Sequence, residues 1–504
     1  MIFIIRLFPE ITIKSDSIRK RWTKILTQNL RILTRRIHEK ASVEQDWDRI
    51  LVKLPTAHDP KAEELLAANM EALLATTPGI ANFSKVTETT FESIDDIYQC
   101  AFKTWQHLVV DKTFCVRARR VGKHTFGSMD VERYVGGGLN QNTKTKGVNL
   151  KTPDVTLSLE IKDALCYIVE EKKEGLGGFP MGTQEGVLSL MSGGFDSTVA
   201  SYLMMKRGMR THFCFFSLGG KEHERGVKEI AFYLWNKYSS THKVRFITVP
   251  FEDVVAEILE KVDAGHMGVV LKRMMLRAAE KIADKGGIQA LVTGEAIAQV
   301  SSQTVRNLAA IDRVTNNLVL RPLITTSKPD IINMCREIGA EKYAANIPEY
   351  CGVISVKPSA GVKLTALEAQ EEHFNYDILH TAVATANVQS IDQVMEENDE
   401  STHDILVAQD VPANAIVIDV RSDDEKELRP LVLPDNHILN IPFYQLGNKM
   451  AELDAKTPHL LYCEKGVISQ LHAAHLHDAG HTFIGVYRPN KKKEKRETKE
   501  KTKP

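Results

Sequence analysis

The chain has 504 residues, 43% hydrophobic and 26% charged, with Lys+Arg and Asp+Glu equal at 65 each and a formal net charge of +0. That length is too great for one core and points to about three domains. The composition is that of a soluble globular protein and excludes a membrane-spanning one, and seven cysteines without a CxxC pair leave no strong zinc signal and point to a reducing, cytoplasmic setting.

The N-terminus, MIFIIRLFPEITIK, is a short apolar stretch broken by Arg6 and Pro9. It lacks a basic start and a small-residue cleavage site, so it reads as a strand and not as a signal peptide. Strand 2–7, helix 17–38 and strand 47–54 make a small α/β unit over residues 1–60. A helix over 61–74 ends at Thr77-Pro78-Gly79, and another covers about 94–109. Residues 113–120 alternate apolar and basic, as a half-buried strand does. Val131 to Tyr134 leads into Gly136-Gly137-Gly138-Leu139-Asn140, expected as a loop where backbone approaches a ligand. Segments 155–161 and 164–169 look like a closing hairpin, and GLGGFPMG at 175–182 like a linker.

The neutral total hides an asymmetry. Residues 14–40 hold nine Lys/Arg against Asp16 and Glu39, and residues 103–151 hold ten, among them Arg117, Arg119, Arg120, Lys123 and Arg133, against Asp111, Asp130 and Glu132. One such run is usually a solvated face. Two adjacent runs favour a phosphate-backbone partner.

Residues 187–191 form a short apolar run, a candidate buried strand. Ser192-Gly193-Gly194-Phe195-Asp196-Ser197 follows at once, then a helix over 198–206 stopped by Gly208. Strand, glycine turn and helix start make a place to hold an anion, because glycines admit close approach and free N–H groups of the first helical turn face it. It is not a Walker A loop, which needs Lys-Ser/Thr after its last glycine. Asp196 beside phosphates suggests a bound Mg²⁺. Strands at 212–218, 244–249 and 290–293 then alternate with helices at 225–238, 254–261 and 272–285. This alternation argues for a doubly wound parallel sheet with ligands at the carboxyl ends of its strands. Gly294-Glu295 and Ser301-Ser302-Gln303-Thr304 fall on that edge.

Residues 365–403 are charged and Ala-rich and read as helix and then linker. A strand at 415–420 ends in Asp419-Val420-Arg421, and a strand at 460–462 leads to Cys463-Glu464-Lys465-Gly466-Val467-Ile468-Ser469 with a helix starting near Gln470. Backbone N–H groups of such a loop stabilise a thiolate or persulfide, and Lys465 adds positive charge. Cys100, Cys115, Cys166, Cys214 and Cys335 sit in apolar patterns and read as packing residues. Residues 490–504 hold eight Lys/Arg, three Glu and no apolar residue, a composition expected to be disordered.

The Ser192–Ser197 motif resembles the pyrophosphate loop of ATP pyrophosphatases, which split ATP between its α- and β-phosphates and usually place AMP on a substrate oxygen. Phe114-Cys115-Val116-Arg117 with residues 130–140 resembles the THUMP domain, an RNA-binding module. Residues 319–355, with Leu271-Lys272-Arg273-Met274-Met275 and Val292-Thr293-Gly294-Glu295-Ala296, narrow the likeness to the tRNA 4-thiouridine synthetases (tRNA sulfurtransferases) that also serve thiamine thiazole synthesis. The Asp419-Val420-Arg421 turn resembles a rhodanese turn.

That resemblance implies an α/β multidomain chain. Its parts are a ferredoxin-like N-terminal domain (1–60), a THUMP domain (61–172), an ATP-pyrophosphatase domain with a doubly wound parallel sheet (173–364), a helical linker (365–410), a rhodanese domain (411–489) and a basic tail (490–504). It implies ATP and Mg²⁺, with nucleotide contacts at Leu190, Met191, Ser192, Gly193, Gly194, Ser197, Lys272, Gly294 and Gln303. Lys272 and Gln303 read alone are surface residues. Lys328, just before Pro329 at a helix start, is a solvated lysine read alone and an essential one by resemblance. Cys463 is implied as the persulfide carrier and Cys351 as the resolving thiol that forms a disulfide with it. Uridine at position 8 of tRNA is the implied target. A cysteine desulfurase, the sulfur carrier protein of thiazole synthesis and a second copy of the chain are the implied partners. Three rivals stay open: sulfur relay to thiazole synthesis alone, a tRNA-binding protein with a vestigial catalytic domain, and an amide-forming pyrophosphatase, which leaves Cys463 unexplained.

Overall fold

A computed structural model describes the chain apart from residues 47–48, 56–58, 219–220, 346, 348–357, 396–404, 422–425, 427–429, 435, 442–445, 447–448, 451–452, 464–468, 470–471, 474–475, 478–479 and 490–504. The described strands form three sheets. The chain divides into two compact units, Met1–Gln184 with Met205–Met209, and Glu185–Met204 with Arg210–Pro504. None of the described helices is long and apolar enough to cross a membrane.

The first unit is built on one eight-stranded sheet in the order β2-β3-β1-β4-β8-β7-β5-β6. Its strands are β1 (Ile2–Leu7), β2 (Ser42–Gln45), β3 (Arg49–Lys53), β4 (Ile80–Thr90), β5 (Thr113–Val121), β6 (Gly147–Val148), β7 (Val155–Lys162) and β8 (Leu165–Gly177). The helices Asp16–Ile37 and Pro60–Thr76 lie between strands of the first half. Leu26, Leu30, Met70 and Leu74 share one core with Phe3, Ile5, Ile50, Val52 and Phe83. Strand, helix, two strands, helix, strand in the order β2-β3-β1-β4 is the ferredoxin-like arrangement. It needs the second helix and β4, so the boundary expected at residue 60 moves past Thr90. Strand β4 escapes a sequence reading because its pairing with β8 shifts register at Ile80/Asn82 and Lys85/Val86. Each bulge breaks the two-residue alternation by which a strand is read.

The second half packs the helices Ile94–Trp105 and Ser128–Asn142 on the sheet, with Trp105, Phe114, Val116, Val135 and Leu139 in one core. The glycine run 136–138, expected as a loop, lies inside the second of these helices. Its glycines serve packing: a Cβ on Gly138 would fall 2.4 Å from Tyr98 Cε2, so the two helices pack closer than a side chain allows. The stretch expected as a linker at 175–182 starts within β8, and Phe179 and Met181 are buried. Phe179 meets Trp22 with ring centroids 4.9 Å apart, and the Met181 carbonyl accepts from Asn29 Nδ2 at 2.9 Å.

In the second unit, β9 (Gln184–Leu190), β10 (Met209–Ser217), β11 (Arg245–Pro250), β12 (Ala290–Val292), β13 (Leu318–Leu320) and β14 (Asn387–Ser390) form a sheet in the order β13-β12-β9-β10-β11-β14. The β9–β12, β12–β13 and β10–β11 pairs are parallel, and β14 runs antiparallel to β11. The chain winds outward through β10 and β11, then crosses to β12 and β13 on the other side. Strands β9 and β12 therefore flank the topological switch point, where doubly wound sheets bind ligands. The segment expected as helix and then linker contributes the helices Leu364–Glu371 and Tyr376–Ala384 and, beyond that expectation, the edge strand β14. Leu367, Leu379 and Val383 join the core around Val270, Met274 and Ile311. Charged residues dominate this stretch because the helices bury only one face each.

The third sheet, β15 (Val407–Ala408), β16 (Ile416–Asp419), β17 (Ile438–Asn440), β18 (His459–Tyr462) and β19 (Ile484–Tyr487), has the order β15-β19-β18-β16-β17. All four pairings are parallel. Its switch point lies between β16 and β18, whose last residues Asp419 and Tyr462 are register partners. The helix start expected near Gln470 and the tail at 490–504 lie outside the described residues.

Candidate active site

The loop Ser192-Gly193-Gly194 leaves β9 and enters the helix Phe195–Lys206. Gly193 has φ +83°, and a Cβ there would fall 2.9 Å from Val227 Cγ2, so only glycine suits both backbone and space. The loop is tied to its own helix. The Ser192 N–H donates to Ser197 Oγ at 3.2 Å. Ser197 Oγ and Thr198 Oγ1 donate to the Gly194 carbonyl at 3.2 and 2.9 Å. His223 Nε2 reaches the Ser192 carbonyl at 3.2 Å. Burial pulls the His223 pKa below the ordinary histidine value, which favours the neutral imidazole donating through Nε2.

Gly294, which follows β12, lies against this loop from the other side of the switch point. A Cβ on it would come 2.6 Å from the Asp196 carbonyl carbon and 2.7 Å from the Ser197 nitrogen. Asp196, in the first turn of its helix, is where three segments meet. Lys328 Nζ donates to Oδ1 at 2.8 Å and to Oδ2 at 2.9 Å, and Gln299 Nε2 donates to Oδ2 at 2.8 Å. Lys328 opens the helix Lys328–Glu337, whose N-cap Ser327 accepts from the Asp330 N–H. That cap and Pro329 fix where the lysine emerges.

Leu190 ends β9, and the Met191 N–H donates to the Cys214 carbonyl at 2.8 Å. Lys272 Nζ stands 4.0 Å from Glu295 Oε1. Glu295 is 3% exposed and accepts from Arg321 Nε at 2.9 Å and from Thr293 Oγ1 at 3.0 Å. Gln303 is buried and its Oε1 has no hydrogen-bond partner among the described residues, an acceptor available to a ligand donor. Gln299 and His223 carry no signal in the sequence that marks them for the site, and Arg321 falls in the signature stretch 319–355 without standing out in it. Gln299 and His223 reach the loop only through the fold, and Arg321 meets Glu295 and Asp312.

Mg²⁺ in nucleotide sites is held by one or two carboxylates plus substrate phosphates. The described residues contain no cluster of three side chains able to hold a metal. Glu295 is taken by Arg321, and Asp196 places a carboxylate, itself paired with Lys328, at the loop. That donor set fits an ion arriving on the nucleotide.

Cys463 follows β18. It is free and buried, and its Sγ accepts from the Ser469 N–H at 3.4 Å, with Ser469 Oγ also at 3.4 Å. Next to it, Arg421 is clamped on Asp419, Nη2 to Oδ2 at 2.7 Å, with its guanidinium carbon 5.0 Å from the centre of the Tyr462 ring. Cys351 and Lys465 lie outside the described residues. Cys115, Cys166, Cys214 and Cys335 are buried and Cys100 half-buried, in keeping with packing roles. Burial pushes the Cys166 thiol up to about 12 and the Cys335 thiol up to about 11, so neither is a ready nucleophile.

Of the expected RNA-contacting residues, Arg117, Arg119, Lys123 and Arg133 are exposed. Arg117 Nη2 donates to the Leu150 carbonyl at 2.8 Å. Arg120 is half-buried and tied to its own turn, its Nη1 donating to the Gly122 carbonyl and to His124 Nδ1, both at 2.9 Å. Along the helix Asp16–Ile37, Lys20, Arg21, Lys24, Arg31, Arg35 and Arg36 are exposed.

Residues 182–376 match the family described as thiamine biosynthesis protein (ThiI), and residues 91–169 match the THUMP domain. Over 489 residues, 97% of this chain and 100% of the relative, the chain is 59% identical to the tRNA sulfurtransferase of Saccharophagus degradans. It is 51% identical, over the same shares, to that of Shewanella halifaxensis. Among solved structures it is similar to a 4-thiouridine synthetase–RNA complex with bound ATP, with a TM-score of 0.67, 25% identity and coverage of 77% of this chain and 99% of that one. PH1313 from Pyrococcus horikoshii, with a TM-score of 0.50 and 22% identity over 67% of this chain and 99% of that one, shares the fold.

Proposed function

The chain belongs to the tRNA sulfurtransferase family, and from that premise we propose that it uses ATP to place sulfur on a uridine of tRNA, position 8 by family likeness, giving 4-thiouridine. The observation that carries this reading is the Asp196–Lys328 pair beside the Ser192–Ser197 loop at the switch point of the sheet.

Oxygen is a poor leaving group from uracil C4, and adenylation turns it into part of AMP. In the first half-reaction O4 of the uracil attacks the α-phosphorus of ATP. The O4–P bond forms, the bond to the β-phosphate oxygen breaks, and pyrophosphate leaves. Ser192, Gly193, Gly194 and Ser197 cradle the departing pyrophosphate. Lys328 stabilises charge on the α-phosphate, and Leu190, Met191, Lys272, Gly294 and Gln303 contact the nucleotide. Asp196 is the residue that would hold a Mg²⁺ bound to the nucleotide, and such an ion would supply neutralisation of phosphate charge.

In the second half-reaction Cys463 carries the sulfur as a persulfide, received from a cysteine desulfurase. The terminal sulfur attacks C4, the C4–O4 bond breaks and AMP leaves. The Cys351 thiolate then attacks Sγ of Cys463 and releases 4-thiouridine. The Cys351–Cys463 disulfide that remains takes two electrons and two protons from a dithiol reductant before the next turnover. The exposed basic residues Arg117, Arg119, Lys123 and Arg133, with the basic face of helix Asp16–Ile37, hold the tRNA phosphates in the reducing cytoplasm. The same persulfide supplies the sulfur carrier protein of thiazole synthesis.

The test is reconstitution from purified full-length chain, cysteine desulfurase, cysteine, ATP, Mg²⁺, reductant and unmodified tRNA. Near-ultraviolet absorbance of thiouridine appearing with one AMP per sulfur supports the reading. AMP formation without tRNA thiolation rejects it.

A further inference from the structure

Asp196 is held from two sides, and one of its partners has a second task. Lys328 Nζ spans both carboxylate oxygens and lies 5.8 Å from the centre of the Phe195 ring. A lysine committed in this way is spent on the carboxylate. To act on an α-phosphate it must exchange that anion for another. The abandoned carboxylate then sits among phosphates of its own sign.

Gln299 is the remaining side-chain partner among the described residues. Its amide is uncharged, so phosphates do not draw it away as they draw an ammonium, and its Nε2 lies 2.8 Å from Oδ2. The loop that carries it is tightly determined. The Ile297 N–H donates to the Ile324 carbonyl and the Ala298 N–H to the Gln303 carbonyl, both at 3.0 Å. Five residues upstream Gly294 presses on the Asp196 backbone. Ala298, next to Gln299, has φ +62°, a left-handed conformation that an L-residue keeps only where its surroundings impose it.

We propose that Gln299 is a positioning residue for adenylation: it keeps Oδ2 of Asp196 in place while Lys328 trades the carboxylate for the phosphates of the nucleotide. The proposal rests on the adenylating role given above to this site. It accounts for a neutral donor on Oδ2 beside a cation that reaches both oxygens.

Two variants of the full-length protein test it. Gln299→Met keeps the side-chain length and removes the donor; Gln299→His keeps an N–H donor. The readouts are kcat and KM for ATP in tRNA-dependent AMP formation, and calorimetric affinity for a non-cleavable α,β-methylene analogue of ATP. Gln299→Met should lose about 10- to 100-fold in kcat, the usual effect of removing a supporting hydrogen bond. Its KM and analogue affinity should stay within about threefold of wild type. Gln299→His should regain most of the lost kcat. A kcat for Gln299→Met within about threefold of wild type overturns the proposal. So does a parallel fall in analogue affinity, or a histidine variant as slow as the methionine one. Failure of the wild type to form AMP overturns the adenylating role and this proposal together. Normal wild-type AMP formation with unaffected variants removes the role of Gln299 alone.

Discussion

Lys328 and Asp196, 132 residues apart in sequence, meet at 2.8 Å, and this pair joins the start of one helix to the first turn of another at the switch point of the sheet. Asp196→Ala should abolish AMP and thiouridine formation, a loss of about 10³-fold or more if the carboxylate and the lysine act as one unit. Affinity for tRNA should stay within about threefold, because the exposed basic residues lie in the other unit. Filter binding of labelled tRNA beside an AMP assay checks both. Normal turnover would remove Asp196 from the site.

RNA affinity should fall steeply with salt. Lys123→Ala and Arg133→Ala, at exposed positions, should each flatten the log–log salt slope by roughly 0.7–0.9 unit if each neutralises one phosphate. Arg120→Ala should leave that slope unchanged and lower the unfolding midpoint instead, since its guanidinium serves Gly122 and His124. A salt-independent affinity would exclude phosphate gripping altogether.

Neighbouring glycines of one helix should respond oppositely to alanine. A Cβ on Gly137 would meet nothing within 4 Å, so Gly137→Ala should stabilise by about 0.5–1 kcal/mol through backbone entropy. Gly138→Ala drives a methyl into the Tyr98 ring and should cost roughly 1–3 kcal/mol. Urea unfolding of the two variants decides, and equal effects would contradict the close approach of the two helices at Gly138.

His212 lowers acid tolerance. Burial, then the charges of Arg210 and Arg245, bring its pKa down from 6.5 to about 4, and its Nδ1 accepts from the Arg245 N–H. The unfolded chain binds a proton there that the folded chain refuses. The associated stability is therefore complete above about pH 6.5 and is lost as pH falls toward 4. Between those limits the urea midpoint should fall more steeply for wild type than for His212→Gln. Equal slopes would show that His212 does not carry the effect.

The cysteine scheme separates two variants. Cys463→Ser should carry no persulfide and make no thiouridine. Cys351→Ser should accept sulfur on Cys463 but stall before multiple turnover. Mass spectrometry after one round without reductant should reveal a Cys351–Cys463 cross-linked peptide. Full multiple turnover by Cys351→Ser would leave Cys463 acting alone.

Much of the second unit was legible in the chain. Apolar runs of strand length alternate with amphipathic helices from Val187 to Thr293, and the observed elements follow within a few residues, whereas the helix Val305–Asp312 and β13 went unread. The Ser192–Ser197 loop was legible too, because glycine, aspartate and serine there answer to local backbone and anion chemistry. Strand β4 was hidden by its bulges. The helical state of Gly136 to Gly138 was hidden because glycine suits a loop as well as a close helix contact.

Sequence alone determined the glycine loop Ser192–Ser197, the α/β alternation from Val187 to Thr293 and the two basic runs, since each depends on neighbours within a few residues. Tertiary structure alone decided that Gln299 and Lys328 converge on Asp196 and that Glu295 is taken by Arg321. Such pairings join residues brought together by sheet order and loop closure, and a favourable charge contact gains its strength only where the fold has already excluded water and fixed the distance.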